Sequence, residues 1–187
     1  MYGGGESMYY YGNQSHKVFI SFYHHDDQKY KNYIDIYLSE GIINKSVMDG
    51  EYDPDDSNLY IKRLIREDKI SDASVVVVLV GPNTRKRKHV DWEIYAGLRA
   101  SINGSAGLVG VLLPEFPIAS NGDYCIDDLP PRLGDNVSSG YASIYTWQRF
   151  VSNFNSIIDT AFNNRLTKKT LIENNRTQMQ RNLGWNE

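Results

Sequence analysis

The sequence predicts an α/β fold, in which a parallel sheet is covered by helices on both faces as a three-layer sandwich. The strongest indication is Val75–Val80, a run of six apolar residues of which five are valine. A strand with no polar face belongs in the middle of a parallel sheet. Strand-like and helix-like segments also alternate along the chain, as in βαβ units. Since typical domains have about 150 residues, one domain accounts for most of the 187.

The first part of the chain is expected to hold two strands, each followed by a helix. Residues 17–22 form a short apolar run suited to a buried first strand. The helix after it ends at Gly41, and its apolar or aromatic residues recur at helical spacing: Tyr30, Tyr33, Ile34, Tyr37 and Leu38. Residues 46–48 are a weaker second strand. An acidic loop at 49–56 then leads to a helix over about 58–68, which Ser57 is placed to cap.

After Val75–Val80, Gly81-Pro82 breaks the strand, and a helix is predicted over residues 88–101. Residues 108–113 are the fourth strand. Residues 114–141 carry four of the six prolines and are expected to be irregular, and loops of this length in compact domains are often functional. Residues 142–145 suit a fifth strand.

The last long helix is predicted from apolar residues at helical spacing, with Thr146 as its cap. These residues are Phe150, Val151, Phe154, Ile157, Ile158, Ala161 and Phe162. A short final helix is expected between a capping box at residues 170–173 and Gly184.

Five strands of this size most economically take the order 2-1-3-4-5, which is the flavodoxin-like layout with right-handed crossovers. Residues 1–15 are rich in Gly, Tyr and Ser and are expected to be a flexible lead. Residues 16–164 form the predicted domain, and residues 165–187 a C-terminal helical tail.

Composition excludes several classes of protein. The net charge of −3 lacks the basic excess of a nucleic-acid binder. The longest apolar run is six residues, whereas a membrane helix needs about 20. Residues 1–15 lack the basic start and apolar stretch of a signal peptide, and Cys125 alone cannot form an internal disulfide. We therefore expect a cytoplasmic protein with neither a nucleic-acid nor a membrane partner.

The predicted strand order also indicates where a ligand binds. The chain reverses direction between strands one and three, and ligands bind beyond the carboxyl ends of the strands at such a point. The candidates come from two loops and one helix: Ser21, Phe22, Tyr23, Asn83, Trp92 and Glu93. Neither loop carries a Gly-x-Gly-x-x-Gly turn or a P-loop, and the chain has no Gly-x-Ser-x-Gly elbow. A dehydrogenase, a P-loop nucleotidase or an α/β-hydrolase is therefore not expected.

Several segments resemble a known family. Residues 17–22, Lys-Val-Phe-Ile-Ser-Phe, resemble the first box of TIR domains. The segments similar to bacterial TIR-like proteins of the Thoeris antiphage system are residues 77–84, 88–94, 129–136 and 140–142. The resemblance covers about residues 17–164, and Trp92-Glu93 is its most specific part.

The resemblance implies a TIR-like fold and, as in the catalytic members, cleavage of NAD at the nicotinamide–ribose bond. NAD would be a substrate, and no cofactor is implied. Thoeris members make a signalling ADP-ribose derivative that activates an effector. The expected partners are thus NAD, that effector, a phage-derived trigger and further copies of the chain. The catalytic glutamate of the family falls on Glu93, and its pocket residues after strand one fall on Ser21, Phe22 and Tyr23. The usual second box, an Arg-Asp and Pro-Gly loop after strand two, is not evident, and residues 49–56 stand there instead.

The candidate residues also have simpler interpretations. Breaking the nicotinamide–ribose bond builds oxocarbenium character, which one carboxylate near the ribose can stabilise. Acidic residues, however, favour the first turns of any helix, and Glu93 is one of them. The rings of Phe22, Tyr23 and Trp92 either stack on a ligand or pack in the core. Asn83 either binds a ligand or terminates a strand.

Two charged segments also have a functional and a simpler interpretation. The basic run 85–88 either attracts a diphosphate or forms a solvated face, which we favour. Residues 24–27, His-His-Asp-Asp, are metal-ligand types. Adjacent histidines on an extended chain point oppositely, so no metal is expected. Asp26 or Asp27 is expected to cap the first helix.

Two other functions stay open beside the enzyme. One is a non-catalytic TIR-like module that binds proteins or nucleotides. The weaker one is a phosphoacceptor receiver of the same fold, for which Asp26 and Asp27 are present. A receiver needs a lysine after the last strand, where this chain has Thr146-Trp147.

Overall fold

The computed structural model describes residues 16–39, 42–44, 69–99 and 104–184. Its centre is a parallel sheet with strands in the order β2-β1-β3-β4-β5, and each neighbouring pair is parallel. The strands are β1 His16–Ser21, β2 Ile42–Asn44, β3 Val75–Val80, β4 Gly107–Leu112 and β5 Ser143–Thr146. The predicted α/β class with a parallel sheet is confirmed.

Helices cover both faces of the sheet. Those that lie wholly within the described ranges are α1 His24–Tyr37, α2 Lys88–Leu98, α3 Pro131–Ser138, α4 Trp147–Ser152 and α5 Phe154–Thr167, and residues 69–71 are helical as well. Apolar residues of α2 and α3 pack on one face, the α2 face. Those of α1, α4 and α5 pack on the other, the α1 face. No helix among the described residues is both long and apolar enough to cross a lipid bilayer.

The strand β3 lies between β1 and β4, and each of its six side chains is at most 1% exposed. Alternation along β1 decides which of its residues reach the site. Val18, Ile20 and Phe22 belong to the core on the α1 face, whereas Phe19 belongs to the core on the α2 face. Because successive side chains of a strand point to opposite faces, Ser21 shares the α2 face with Phe19.

The second strand is found at Ile42–Asn44, earlier than expected. The predicted strand 46–48, acidic loop 49–56, Ser57 cap and helix 58–68 lie outside the described residues. In α1 the buried residues are Asp27, Lys31 and Ile34, and Tyr30 and Leu38 pack against the core of the α1 face. The expected stripe is therefore confirmed for Tyr30, Ile34 and Leu38, and it is wrong for Tyr33 and Tyr37, which are exposed. The sequence-predicted cap is also wrong, because Tyr23 precedes α1 and no side chain caps it.

The expectation that residues 114–141 are irregular is wrong for their second half, which contains α3. Pro131 stands in the first turn of α3, where its missing N–H and fixed φ are tolerated. After the helix, Gly140 has φ 83°, the left-handed conformation in which helices commonly end.

Thr146 caps α4 as predicted, since its side chain accepts a hydrogen bond from Arg149 N. The predicted long helix is divided at Asn153 into α4 and α5. The predicted short final helix before Gly184 is wrong. Of the predicted helical tail 165–187, the first three residues belong to α5, and residues 185–187 lie outside the described residues. The chain makes one 3-10 turn at Lys169–Leu171 and has no helix over residues 172–184. We call residues 172–184 the C-terminal tail.

Candidate functional site

The candidate site is a crevice at the carboxyl ends of β1 and β3. These two strands are neighbours, and the helices that follow them, α1 and α2, cover opposite faces of the sheet. Ligands bind in open α/β sheets where the chain diverges in this way. The crevice is therefore bordered by the residues after β1, the 3-10 turn Thr84–Lys86 after β3, and the first turns of α2.

The central contact of the crevice joins β1 to α2. The Ser21 hydroxyl donates a hydrogen bond to Glu93 Oε2 at 2.5 Å, and Ser21 is fully buried while Glu93 is 3% exposed. Val90 and Ile94, on either side of Glu93 along α2, are in the core of the α2 face. This packing holds α2 against the sheet and points the Glu93 carboxyl group at the end of β1.

Phe22 and Tyr23, the next two residues of the chain, have different environments. The Phe22 ring is 4% exposed and belongs to the core of the α1 face, so it is not brought to Glu93. Its backbone carbonyl lies in the crevice, where His89 Nε2 approaches it at 3.3 Å. Tyr23 is partly exposed, and its ring centroid lies 6.4 Å from that of His89.

Two side-chain hydrogen bonds tie the start of α1 to the loop after β3. Asn83 Nδ2 donates to Asp26 Oδ2 at 2.9 Å, and Thr84 Oγ1 donates to Asp27 Oδ2 at 3.1 Å. The pKa of Asp26 is lowered, first by its hydrogen bond with His25 and then by that with Asn83. Burial raises the pKa of Asp27 to about 6, against the opposing effect of the Thr84 hydrogen bond. Asn83 is thus placed at the crevice, with its amide nitrogen engaged by Asp26.

The basic run 85–88 is divided between several environments. Lys86 is exposed, and Arg85 lies 3.9 Å from Asp128. Arg87 turns towards the crevice, with its guanidinium carbon 3.7 Å from the centroid of the Tyr23 ring. Lys88 Nζ lies 5.1 Å from the centroid of the Trp92 ring. The interpretation of the whole run as one solvated face is therefore wrong for Arg87.

Trp92 faces away from β1, although it is adjacent to Glu93. Its indole Nε1 donates to the Met179 carbonyl at 2.9 Å, which places the ring on the C-terminal tail. Residue Asn182 of the tail also accepts a hydrogen bond from the Lys88 backbone N–H at 2.9 Å. The structure therefore brings Ser21, Tyr23, Asn83 and Glu93 to the crevice, and separates Trp92 from them.

A buried ion pair anchors the same stretch of α2. Arg132 Nε donates to Asp91 Oδ1 at 2.9 Å, and the two side chains are 0% and 2% exposed. The tail completes the network, because Met179 N donates to Asp91 Oδ2 and Arg132 donates to the carbonyls of Asn174 and Arg176. We call this set of contacts the α2 clamp. It joins the helix that carries Glu93 to α3 and to the C-terminal tail.

The histidines and aspartates after β1 do not converge on one point. His25 Nδ1 lies 2.7 Å from Asp26 Oδ1, whereas Asp27 turns to Thr84. In the described ranges, no three His, Cys, Asp or Glu side chains are grouped as metal ligands are.

The fold and the crevice together define a class of protein: a flavodoxin-like α/β domain with a buried glutamate at the switch point of its sheet, as in TIR-like domains. The family described as Thoeris protein ThsB, TIR-like domain, matches residues 19–116, just over half of the chain. The chain belongs to this family. No curated protein matches it. The matched residues include the second half of β1 and all of β3, α2 and β4, whereas Arg132 and the C-terminal tail lie beyond them.

Sequence reasoning missed three parts of the site. His89 stands one turn before Glu93, and i,i+4 spacing places two side chains on one helix face, so this residue could have been found. Arg87 was considered only as part of a charge run. Nothing local in the sequence indicated that Arg132 lies buried against Asp91.

Proposed function

We propose that the chain cleaves NAD at the nicotinamide–ribose bond and converts the ADP-ribose part into a signal that activates an antiphage effector. The observation that supports this best is the Ser21–Glu93 contact. It sets a buried carboxyl group at the switch point of the sheet, in a chain that belongs to the Thoeris TIR-like family. Tyr23 and Asn83 are the proposed substrate contacts beside it.

The chemistry requires little more than a well-placed negative charge. The C1′–N bond breaks and its electron pair moves to the nicotinamide ring nitrogen, which loses its positive charge. The ribose then carries oxocarbenium character. A carboxylate next to it stabilises this cation, and more strongly when water is excluded and the group is preorganised. Addition of water yields ADP-ribose and a proton, whereas attack by a nucleophile within the same molecule yields a cyclic product.

The contacts of Glu93 suit this role. Ser21 fixes one carboxyl oxygen, and the packing of Val90 and Ile94 fixes the helix. The α2 clamp anchors the same helix to Arg132 through Asp91. A side chain held in this way loses little freedom when the substrate binds, which is the condition for effective electrostatic stabilisation.

The direct test measures nicotinamide release from NAD by chromatography, with wild-type protein and Glu93→Gln. We expect the substitution to reduce the rate by about 100-fold or more, as removal of a transition-state-stabilising group does. The matched control is Glu115→Gln, since Glu115 is partly exposed and binds Lys29 and Tyr30. Nicotinamide release by Glu93→Gln at the wild-type rate would show that the assigned role is wrong.

A second test concerns the signal and its trigger. Cells that express the wild-type chain or Glu93→Gln are infected with phage, and filtered lysates are assayed for a small molecule that activates a Thoeris effector. We expect activation only with the wild-type chain after infection. Equal activation from both lysates would contradict the proposed origin of the signal.

One observation favours a second candidate, a non-catalytic interaction module. On the outer side of α1, Ile36 is 68% exposed and Tyr37 is 67% exposed, and the Tyr33 ring stands between those of Tyr37 and Trp147. Exposed apolar patches often mark protein interaction sites. Two results together would favour this module over the enzyme. Calorimetry would detect no binding of NAD or ADP-ribose, and light scattering would show assembly of the wild type that Tyr37→Ser abolishes.

A further inference from the structure

Arg87 has an environment that its place in a charge run does not explain. Its guanidinium carbon lies 3.7 Å from the centroid of the Tyr23 ring. Its Nε is buried without a hydrogen-bond partner among the described residues, and no carboxylate in those ranges forms an ion pair with it. Asp26 senses its positive charge, but Asp26 is already bonded to His25 and Asn83. The guanidinium is therefore fixed by an aromatic face and by no anion of the described chain.

A stacked guanidinium is well suited to bind phosphate. Stacking uses the face of the planar group, while its terminal N–H donors point outward in the same plane. Their fork matches two phosphate oxygens, which is why arginine is preferred for bidentate recognition of phosphate. Tyr23 also limits the rotamers of Arg87, so less freedom is lost when an anion binds.

The position of Arg87 relative to Glu93 indicates which phosphate could reach it. Tyr23 follows Ser21 by two residues, so their Cα atoms are at most about 8 Å apart, and Ser21 contacts Glu93. His89 lies on the same helix face as Glu93 and near the Tyr23 ring. Arg87 and Glu93 thus border the same part of the crevice, so a ligand with its ribose beside Glu93 reaches Arg87 when its 5′ phosphates extend along this border.

We propose that Arg87, held by Tyr23, forms the phosphate subsite of the crevice and binds the diphosphate of a dinucleotide. The subsite selects phosphorylated nicotinamide nucleotides against the free nucleoside. The choice of ligand rests on the proposed function, whereas anion binding by the stacked arginine follows from the contacts of Arg87 itself.

The chain supplies a matched control for this proposal. The guanidinium carbon of Arg165 lies 3.8 Å from the centroid of the Phe162 ring, which is almost the same stack. Arg165 stands on α5, one turn after Ala161, and the Ala161 carbonyl adjoins Gly107 at the start of β4. This is at the amino ends of the strands, whereas the crevice is at their carboxyl ends. Arg87→Met and Arg165→Met thus remove equivalent stacks, of which only one borders the crevice.

The experiment measures the binding of ADP-ribose, inorganic pyrophosphate and adenosine by calorimetry for wild-type, Arg87→Met, Arg87→Lys and Arg165→Met proteins. We expect Arg87→Met to weaken ADP-ribose binding by about 10- to 100-fold, the usual worth of hydrogen bonds to a charged group. Arg87→Lys restores part of the affinity, and adenosine binding stays unchanged. Arg165→Met should bind ADP-ribose as the wild type does. Thermal unfolding confirms that each variant is folded.

Three results would overturn the subsite: wild-type protein that binds neither ADP-ribose nor pyrophosphate, equal affinity of Arg87→Met and wild type, or equal losses in Arg87→Met and Arg165→Met. Nicotinamide release separates this proposal from the proposed function. If NAD is cleaved with a KM that Arg87→Met leaves unchanged, the subsite is wrong and the enzyme stands. If NAD is cleaved neither by the purified protein nor in lysates of infected cells, but ADP-ribose binding depends on Arg87, the enzyme is wrong and the subsite stands.

Discussion

The α2 clamp makes a strong prediction about stability, because its ion pair is almost completely buried. Arg132 is 0% exposed and Asp91 is 2% exposed as side chains. Arg132→Met keeps most of the side-chain volume but leaves the Asp91 carboxylate buried with the Met179 N–H as its remaining partner in the clamp. Breaking a buried pair from one side costs about 3–5 kcal/mol. Since small domains unfold with about 5–15 kcal/mol, this loss is a large share of the total.

The measurement is urea denaturation of the wild type and Arg132→Met, with the free energy of unfolding obtained by linear extrapolation. The matched control is Arg176→Met. Arg176 pairs with Asp135 at 2.6 Å, but the two side chains are 46% and 29% exposed, and exposed pairs contribute about 0–1 kcal/mol. Equal losses in the two variants, or a loss below about 1 kcal/mol in Arg132→Met, would refute the reasoning from burial. The double variant Arg132→Met/Asp91→Leu should recover part of the loss, because it leaves no unpaired charge.

Three further substitutions test other contacts. Burial raises the pKa of Asp27 from 3.8 to about 6, so its contribution to stability is present below pH 3.8 and is lost as the pH rises through about 6. Between pH 4 and pH 7, the free energy of unfolding of Asp27→Asn should therefore rise by up to about 3 kcal/mol relative to that of the wild type. The same change with pH in both proteins would contradict this. Tyr141→Phe removes the 2.6 Å hydrogen bond to the Ala106 carbonyl and should lower the free energy of unfolding by about 1 kcal/mol in the same assay. An unchanged free energy would argue against that bond. Gly107→Ala would place a Cβ 2.0 Å from the Ala161 carbonyl oxygen, and the expected lowering of the free energy of unfolding is about 1–3 kcal/mol. An unchanged value would mean that α5 can move away from β4 without cost.

The features that the sequence predicted well are those that depend on neighbouring residues. The valine run of β3 indicated a buried central strand, and all six residues are buried. The Thr146 cap could be predicted because a capping hydroxyl acts within three residues, and it accepts from Arg149 N. The stripe of α1 was predicted in part, since Tyr30, Ile34 and Leu38 pack in or against the core, whereas Tyr33 and Tyr37 are exposed. The spacing of apolar residues could not indicate that Lys31 is buried there beside its partner Asp35. Long side chains can bury their stems in this way.

The site was predictable only in part, because some of its contacts join residues that are far apart in the chain. The topology rule and the family resemblance selected Ser21 and Glu93, and the structure places them in contact. Trp92 was grouped with them because it is adjacent to Glu93. Its indole partner is a backbone carbonyl 87 residues later in the chain, in a segment without regular structure. A bond to a backbone carbonyl is independent of side-chain identity, so no residue type in the tail could have indicated it.

The α2 clamp has a consequence for the order in which the protein is completed during synthesis. The helix that carries Glu93 is translated early, but Asp91 receives Arg132 41 residues later and the Met179 N–H 88 residues later. A nascent chain that has left the ribosome only up to the end of β4 contains Asp91 without these two partners. We therefore expect the crevice to mature only after Met179 has left the ribosome. Under the proposed function, NAD cleavage would begin only after this part of the chain has been synthesised.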